Sequence, residues 1–342
     1  MHCKGNRLTA RAAGVVIVTV LLAPSARSQS LSPAAPPKWS VEAFGGSATV
    51  EPKDLNAYSL STETIYSSYY EALSRYYESV YRGLYTWTIT RNGDFPSIRQ
   101  AWTGGARLSF QLTPRVAATF GLQYLSRKRS ASVTRAREST LYNRDAVGFE
   151  TTDRLEYIFA PTTLAVRAYT PSAGLRVAVL SWRRLRVEAI AAGGAVRASS
   201  RIDEERTGET THYRQRSVQT TQMRGTGWGP AAEGGVRAAW SPGSRWTAFL
   251  EAAYQYQRVG NVSGTTKRTA TTQDGDAAST EREVAQDISG RWRMAPWRVT
   301  TVFGNFDQPY PAIGNEQNPP FRLDLSGLRV SAGVGFRFRS PW

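Results

Sequence analysis

From Trp39 onward, hydrophobic and polar residues alternate with a period of two, in stretches of about ten residues. That is the length a tilted membrane-crossing β-strand needs. In 102–112, Trp102, Gly104, Ala106, Leu108, Phe110 and Leu112 oppose Thr103, Gly105, Arg107, Ser109 and Gln111. After the turn Thr113-Pro114, Val116, Ala118, Phe120, Leu122 and Tyr124 alternate with Ala117, Thr119, Gly121 and Gln123, which predicts a hairpin with one apolar face. The same pattern recurs through Ile158, Leu164, Val166 and Ala168 (opposite Arg167 and Tyr169), and through Leu185–Ala191 (opposite Arg186 and Glu188). It returns in Ala232–Trp240 (opposite Glu233 and Arg237), Trp246–Tyr256 (opposite Glu251) and Leu328–Phe338 (opposite Arg329 and Arg337). With 39–50, where Phe44 breaks the parity, this predicts eight strands.

Connection lengths point the same way. Short turns near 113–114, 181–184 and 241–245 alternate with long polar segments, roughly 51–99, 127–155, 198–228 and 258–325. Such alternation fits an up-and-down barrel with tight periplasmic turns and long extracellular loops; a soluble sandwich has no such constraint. Trp39, Trp182, Trp240 and Trp246 fall near the turn ends, and Tyr124, Tyr157, Tyr254 and Tyr256 near the loop ends, as two aromatic girdles would. The apolar stretch 175–180 is out of phase with the preceding strand and reads as a bulged continuation.

The N-terminus supplies the compartment. Lys4, Arg7 and Arg11 precede the apolar run Ala12–Ala23, and Ala26 and Ser28 mark a cleavage site. The run is too short to cross a bilayer as a helix, so 1–28 reads as a signal peptide. Residues 29–37 form a Pro-rich lead-in, and 38–342 the barrel. The single cysteine, Cys3, and one of the two histidines, His2, belong to the leader, which excludes disulfide frameworks, cysteine nucleophiles and Cys/His metal sites; no cofactor or metal is expected. The net charge of +16 rests on arginine, lysine occurring only at 4, 38, 53, 128 and 267. No basic helix or nucleic-acid motif accompanies it, so nucleic-acid binding is not expected.

The leader, the alternating strands and the terminal segment GLRVSAGVGFRFRSPW together resemble the small eight-stranded outer-membrane β-barrel proteins. The resemblance covers 38–342 and is architectural, without a diagnostic motif. It implies the bacterial outer membrane, lipid contact including lipopolysaccharide, and an assembly signal for the barrel assembly machinery in which Phe336, Phe338 and Trp342 share one parity. The trailing Arg339-Ser340-Pro341 departs from the usual aromatic ending.

Three constellations carry candidate chemistry. Inward positions place Arg107, Arg167, Arg186, Arg237, Arg329 and Arg337 against Glu42, Glu188, Glu233 and Glu251, a set that reads as a salt-bridged plug, with a narrow pore as the alternative. Residues 65–85 carry Tyr, Leu and Val at three-to-four spacing, which predicts an amphipathic helix of about five turns in the first loop, either a contact surface or a helix packed on the mouth. Arg127, Lys128, Arg129 and Arg154 fall at predicted loop bases, where they could hold lipid phosphates or pair with Glu138, Asp145, Glu150 and Asp153. His212 lies in a polar loop with no pattern marking a nucleophile, so no catalytic residue is assigned. The reading is a non-enzymatic outer-membrane barrel with a structural or surface-binding role. A small-solute pore and a lipid- or peptide-modifying enzyme are the alternatives.

Overall fold

The computed structural model describes residues 38–142, 150–210, 215–243, 245–273, 282–301, 304–313 and 317–339. In chain order the elements are β1 (Lys38–Thr49), α1 (Lys53–Tyr81), β2 (Tyr85–Asn92), β3 (Gln100–Gln111), β4 (Val116–Tyr142), β5 (Glu150–Trp182) and β6 (Leu185–Thr210). They continue with β7 (Gln215–Trp240), β8 (Trp246–Val259), β9 (Ser263–Gln273), β10 (Arg282–Thr301), β11 (Gly304–Ile313), β12 (Leu323–Asp324) and β13 (Gly327–Arg339). Eight of them close an antiparallel ring in the order β1-β3-β4-β5-β6-β7-β8-β13, sealed by β1 against β13 from Lys38↔Arg339 to Ala48↔Arg329. Closure leaves the ring without an unpaired edge. The eight expected strands are these eight.

The predicted long loops are largely strand. β4 and β5 stay paired out to Tyr142↔Glu150, and β6 and β7 out to Thr210↔Gln215. β2 adds to the upper part of β4, while β9, β10 and β11 extend the sheet from the upper part of β7. Thr-, Arg- and Gln-rich stretches such as 215–224 lack an apolar face, so alternation cannot reveal them. They are strands because their neighbours template them. The barrel wall therefore rises well beyond the ten or so residues that a membrane crossing needs.

The helix forms where expected but begins at Lys53, not near residue 65. Its first half is rich in Ser, Thr and Asn, poor helix formers that tertiary packing overrides. Leu55 and Tyr58 join the apolar core inside the upper barrel, Ser59 donates to the Pro96 carbonyl (2.6 Å), and Asn56 closes two 2.9 Å bonds with the Ile98 backbone. Arg82 in the left-handed conformation and Gly83 at φ +82° end it. Tyr76, Val80 and Tyr81 near its C-terminus remain exposed. The helix thus plugs the mouth with its first half, while its last turns rest on β2 through Tyr81–Tyr85 and Trp87–Glu78 contacts.

Two bulges decide which faces look in. On β5 the register shifts between Phe159 and Thr162 and again between Ala178 and Leu180. Each extra residue reverses the parity of everything beyond it. Ile158 faces outward, but Leu164, Val166 and Ala168, expected on the same outer face, are fully buried within the barrel. Arg167 and Tyr169, expected inside, are exposed on the outer wall. Pro161, inside an otherwise strand-like run, was the available signal of that irregularity. Phe44 does stand on the parity opposite to the apolar outer face: β1 pairs without interruption and Phe44 points inward beside Glu42.

At the mouth, the Tyr58 hydroxyl donates to Glu204 Oε2 (2.8 Å) beneath the helix. Burial there pushes the Glu204 carboxyl above the usual range, against the lowering effects of the Tyr58 bond and of Arg206 and Arg268. A raised native pKa means that stability is unaffected below the ordinary glutamate value. It falls as pH rises from there through the native value. Glu204→Gln, keeping a partner for Tyr58, is expected to flatten that part of a pH–stability curve from denaturant unfolding. An unchanged slope would show Glu204 to be solvated.

Candidate functional site

The lower interior of the ring is packed with ions. Glu42, Glu188, Glu233 and Glu251 face in from β1, β6, β7 and β8, and Arg107, Arg176, Arg237 and Arg329 face in from β3, β5, β7 and β13. Opposite neighbours in the ladder include Glu42↔Arg107, Glu188↔Arg237 and Arg237↔Glu251. Several of the close contacts nonetheless cross the lumen, while Arg176–Glu188 and Arg329–Glu251 join neighbouring strands. Arg237 reaches Glu42 at 2.6 Å, Arg107 reaches Glu251 at 2.9 Å, and Arg176 reaches Glu42 at 2.8 Å and Glu188 at 3.1 Å. Arg329 binds Glu233 (2.8 Å), Glu251 and Gln123 (3.1 Å). Every one of these guanidiniums therefore meets at least two carboxylates.

Two aromatic rings floor this network. Phe44 lies 5.4 Å from the Arg107 guanidinium and 5.3 Å from that of Arg329, while Phe249 stacks 3.7 Å from Arg237. Planar guanidinium suits such a site, forking onto carboxylates while its face rests on a ring. Lysine does neither as well, which fits the scarcity of lysine in the strands. Arg186 is a looser member, 3.8 Å from Glu188 and partly exposed, and Arg337 at the turn end donates to Ser241 at 3.4 Å.

Of the ten residues expected in the lumen, the structure brings nine to the interior and places Arg167 on the outer wall. The first β5 bulge is the reason. The same bulge hid Arg176, which alternation from Ile158 would have turned outward. Above the network, a gap of only about 10 Å³ lies beside Gln123, Thr170 and Glu233. That is room for a single water at most. Higher still, Leu125, Leu164, Val166, Val196, Ile202, Met223, Trp292 and Phe321 fill the barrel with apolar side chains. At the mouth, a cleft of about 900 Å³ lies between α1 and the segment 94–99, bordered by Asn56, Glu63, Phe95 and Arg99.

The expected phosphate cluster does not assemble. Arg154 stands opposite Glu138, ten ladder positions from Lys128, and binds Glu138 and Glu156, each at 3.2 Å. The β4–β5 hairpin continues as a ladder where a loop was expected, which carries Arg154 far up the wall. Alternation also turns Arg127 and Arg129 to the face of β4 opposite Lys128. Phe336 and Phe338 sit on the outer face at the turn end, Phe336 against Trp246 (5.1 Å) and Phe338 across from Trp39. Trp342 and His212 lie outside the described residues.

No family model matches the chain, and no curated protein matches it. Among solved structures it is similar to the outer membrane protein OprG from Pseudomonas aeruginosa, at 8% identity over 88% of this chain and 96% of that one, with a TM-score of 0.28. A likeness that distant carries no argument about this chain's activity.

Proposed function

We propose that this chain is an integral outer-membrane β-barrel with a plugged lumen, whose tall, helix-capped mouth serves a structural or surface-binding role. The observation that carries this reading is the outer wall. Val41, Leu108, Phe120, Leu122, Leu175, Val179, Val236, Leu250, Leu328, Val330 and Val334 are all exposed, and they form a band around the ring. A water-soluble monomer rarely exposes so continuous an apolar surface. Aromatics bound the band on both sides, with Trp182, Trp240 and Trp246 at the turn end and Trp102, Tyr169, Trp228 and Tyr254 above. Along β7, Trp240 to Trp228 is ~40 Å of strand at ~3.3 Å per residue, or ~30 Å once tilted by ~40°. That height matches the hydrocarbon core of a bilayer.

The interior supports the plug over the pore. Among the described residues, ion pairs, a one-water gap and an apolar core succeed one another up the axis. Refolded into planar bilayers, the protein is expected to insert, shown by heat-modifiable migration on gels, and to give no steady conductance. Stepwise conductance from inserted, folded protein would overturn the plug while leaving the barrel intact.

A further inference from the structure

Arg167, misplaced by parity, stands in a basic groove on the outer wall. Across four neighbouring strands, Lys128 on β4, Arg167 on β5, Arg201 on β6 and Arg224 on β7 line one depression of about 460 Å³, floored by Ser126, Ser199 and Thr226. Arg201 and Arg224 are directly opposed in the ladder. Like charges in that relation destabilise a sheet. Arg201 binds Asp203 on its own strand, but among the described residues Lys128, Arg167 and Arg224 make no ion pair. A local conflict of this kind, in which Asp203 offsets Arg201 alone, leaves room for an external anion.

A second depression lies below it, sharing β4, β5 and β6 and reaching onto β3. It is shallow, about 690 Å³, and apolar, running between Leu108, Phe120 and Leu122 over Pro171, Ala173 and Gly193. It exists because small residues sit among bulky ones: a Cβ added at Gly193 would meet nothing closer than 4.0 Å. Between the two depressions stand Tyr124 and Tyr169, with ring centroids 5.0 Å apart, and Arg197 stacked on Trp228 (5.7 Å). From Pro171 to Arg167 is ~13 Å along β5.

Cations above, aromatics between and a smooth apolar trough below match the order of groups in a phosphorylated lipid. From Lys128 to Arg224 the cations span three strand spacings, ~14 Å, wider than one phosphodiester needs. We propose that this face binds one molecule of a bis-phosphorylated, multiply acylated outer-leaflet glycolipid, its phosphates on Lys128, Arg167, Arg201 and Arg224 and an acyl chain over Gly193. The inference rests on the outer-membrane reading above and adds the site.

The test uses delipidated full-length barrel in neutral detergent, titrated with lipid A and followed by native mass spectrometry. Lys128→Ser, Arg167→Ser and Arg224→Ser together are expected to weaken lipid A binding about a hundredfold, from the loss of three cations near anionic lipid. Arg129→Ser, whose side chain lies on the face of β4 opposite Lys128, leaves binding unchanged. Gly193→Trp, which fills the trough, weakens lipid A binding without changing heat-modifiable migration. Monophosphoryl lipid A and phosphatidylglycerol bind more weakly than lipid A, and inorganic phosphate does not compete. Equal binding by the folded triple variant would overturn the site. Equal binding of phosphatidylglycerol, or competition by inorganic phosphate, would overturn the bis-phosphorylated ligand. Failure of the wild type to insert into bilayers would instead strike the membrane reading itself.

Discussion

Replacing Glu42 with alanine is expected to cost the barrel about 3–5 kcal/mol, the penalty for stranding buried charge. Glu42 is 3% exposed and accepts bonds from Arg237 at 2.6 Å and Arg176 at 2.8 Å, with Arg107 3.9 Å away. Without it, Arg237 keeps only the looser contact with Glu188 (3.4 Å), and two guanidiniums lose their main counter-ion in a site that water scarcely reaches. The matched control is Asp287→Ala, which breaks the exposed Lys267–Asp287 pair and should cost about 0–1 kcal/mol. Urea unfolding of refolded protein in lipid vesicles, followed by tryptophan fluorescence, compares the two. Similar small losses would mean that the lumen is wet and the plug reading wrong.

An arginine placed on the apolar band is the second large perturbation. Leu250→Arg and Val334→Arg, both exposed on the outer wall about midway between the aromatic rows, should each cost about 2–4 kcal/mol in a bilayer. Ile288→Arg on β10 is also at an exposed position but lies on the upper extension, and should stay within about 0.5 kcal/mol. A soluble protein would tolerate all three alike, so the contrast tests membrane depth and not mere exposure. Val166→Arg behaves differently again. Val166 is fully buried among apolar side chains of the upper core, which offer nothing to receive the charge, so that variant is expected not to refold.

The Leu250 and Val334 positions were legible from alternation alone, because β8 and β13 run without a bulge in the ring and one inward residue fixes the rest. Glu233, Glu251 and Arg329 fall on the inward face for the same reason. Val166 and Arg167 were read inside-out, since period two survives only until an extra residue enters the strand.

The sequence by itself determined the eight-stranded ring, its apolar outer face and the excess of confined arginine and glutamate, because these follow from alternation and from turns of a few residues. Local patterning also announced a helix in the first connection. It could not show where that helix begins, because Leu55 and Tyr58 are helical only by virtue of the core they enter. Nor could it show that Thr- and Gln-rich stretches such as 215–224 continue the wall, since neighbouring strands, not their own side chains, hold them extended. The tertiary structure alone decided the partners in the lumen. Arg237 belongs with Glu42, 195 residues away, and Arg107 with Glu251, 144 away, because ring closure brings opposite walls within reach of two side chains. It also gathered Lys128, Arg167, Arg201 and Arg224 from four strands into one face, a coincidence of register that no local pattern contains.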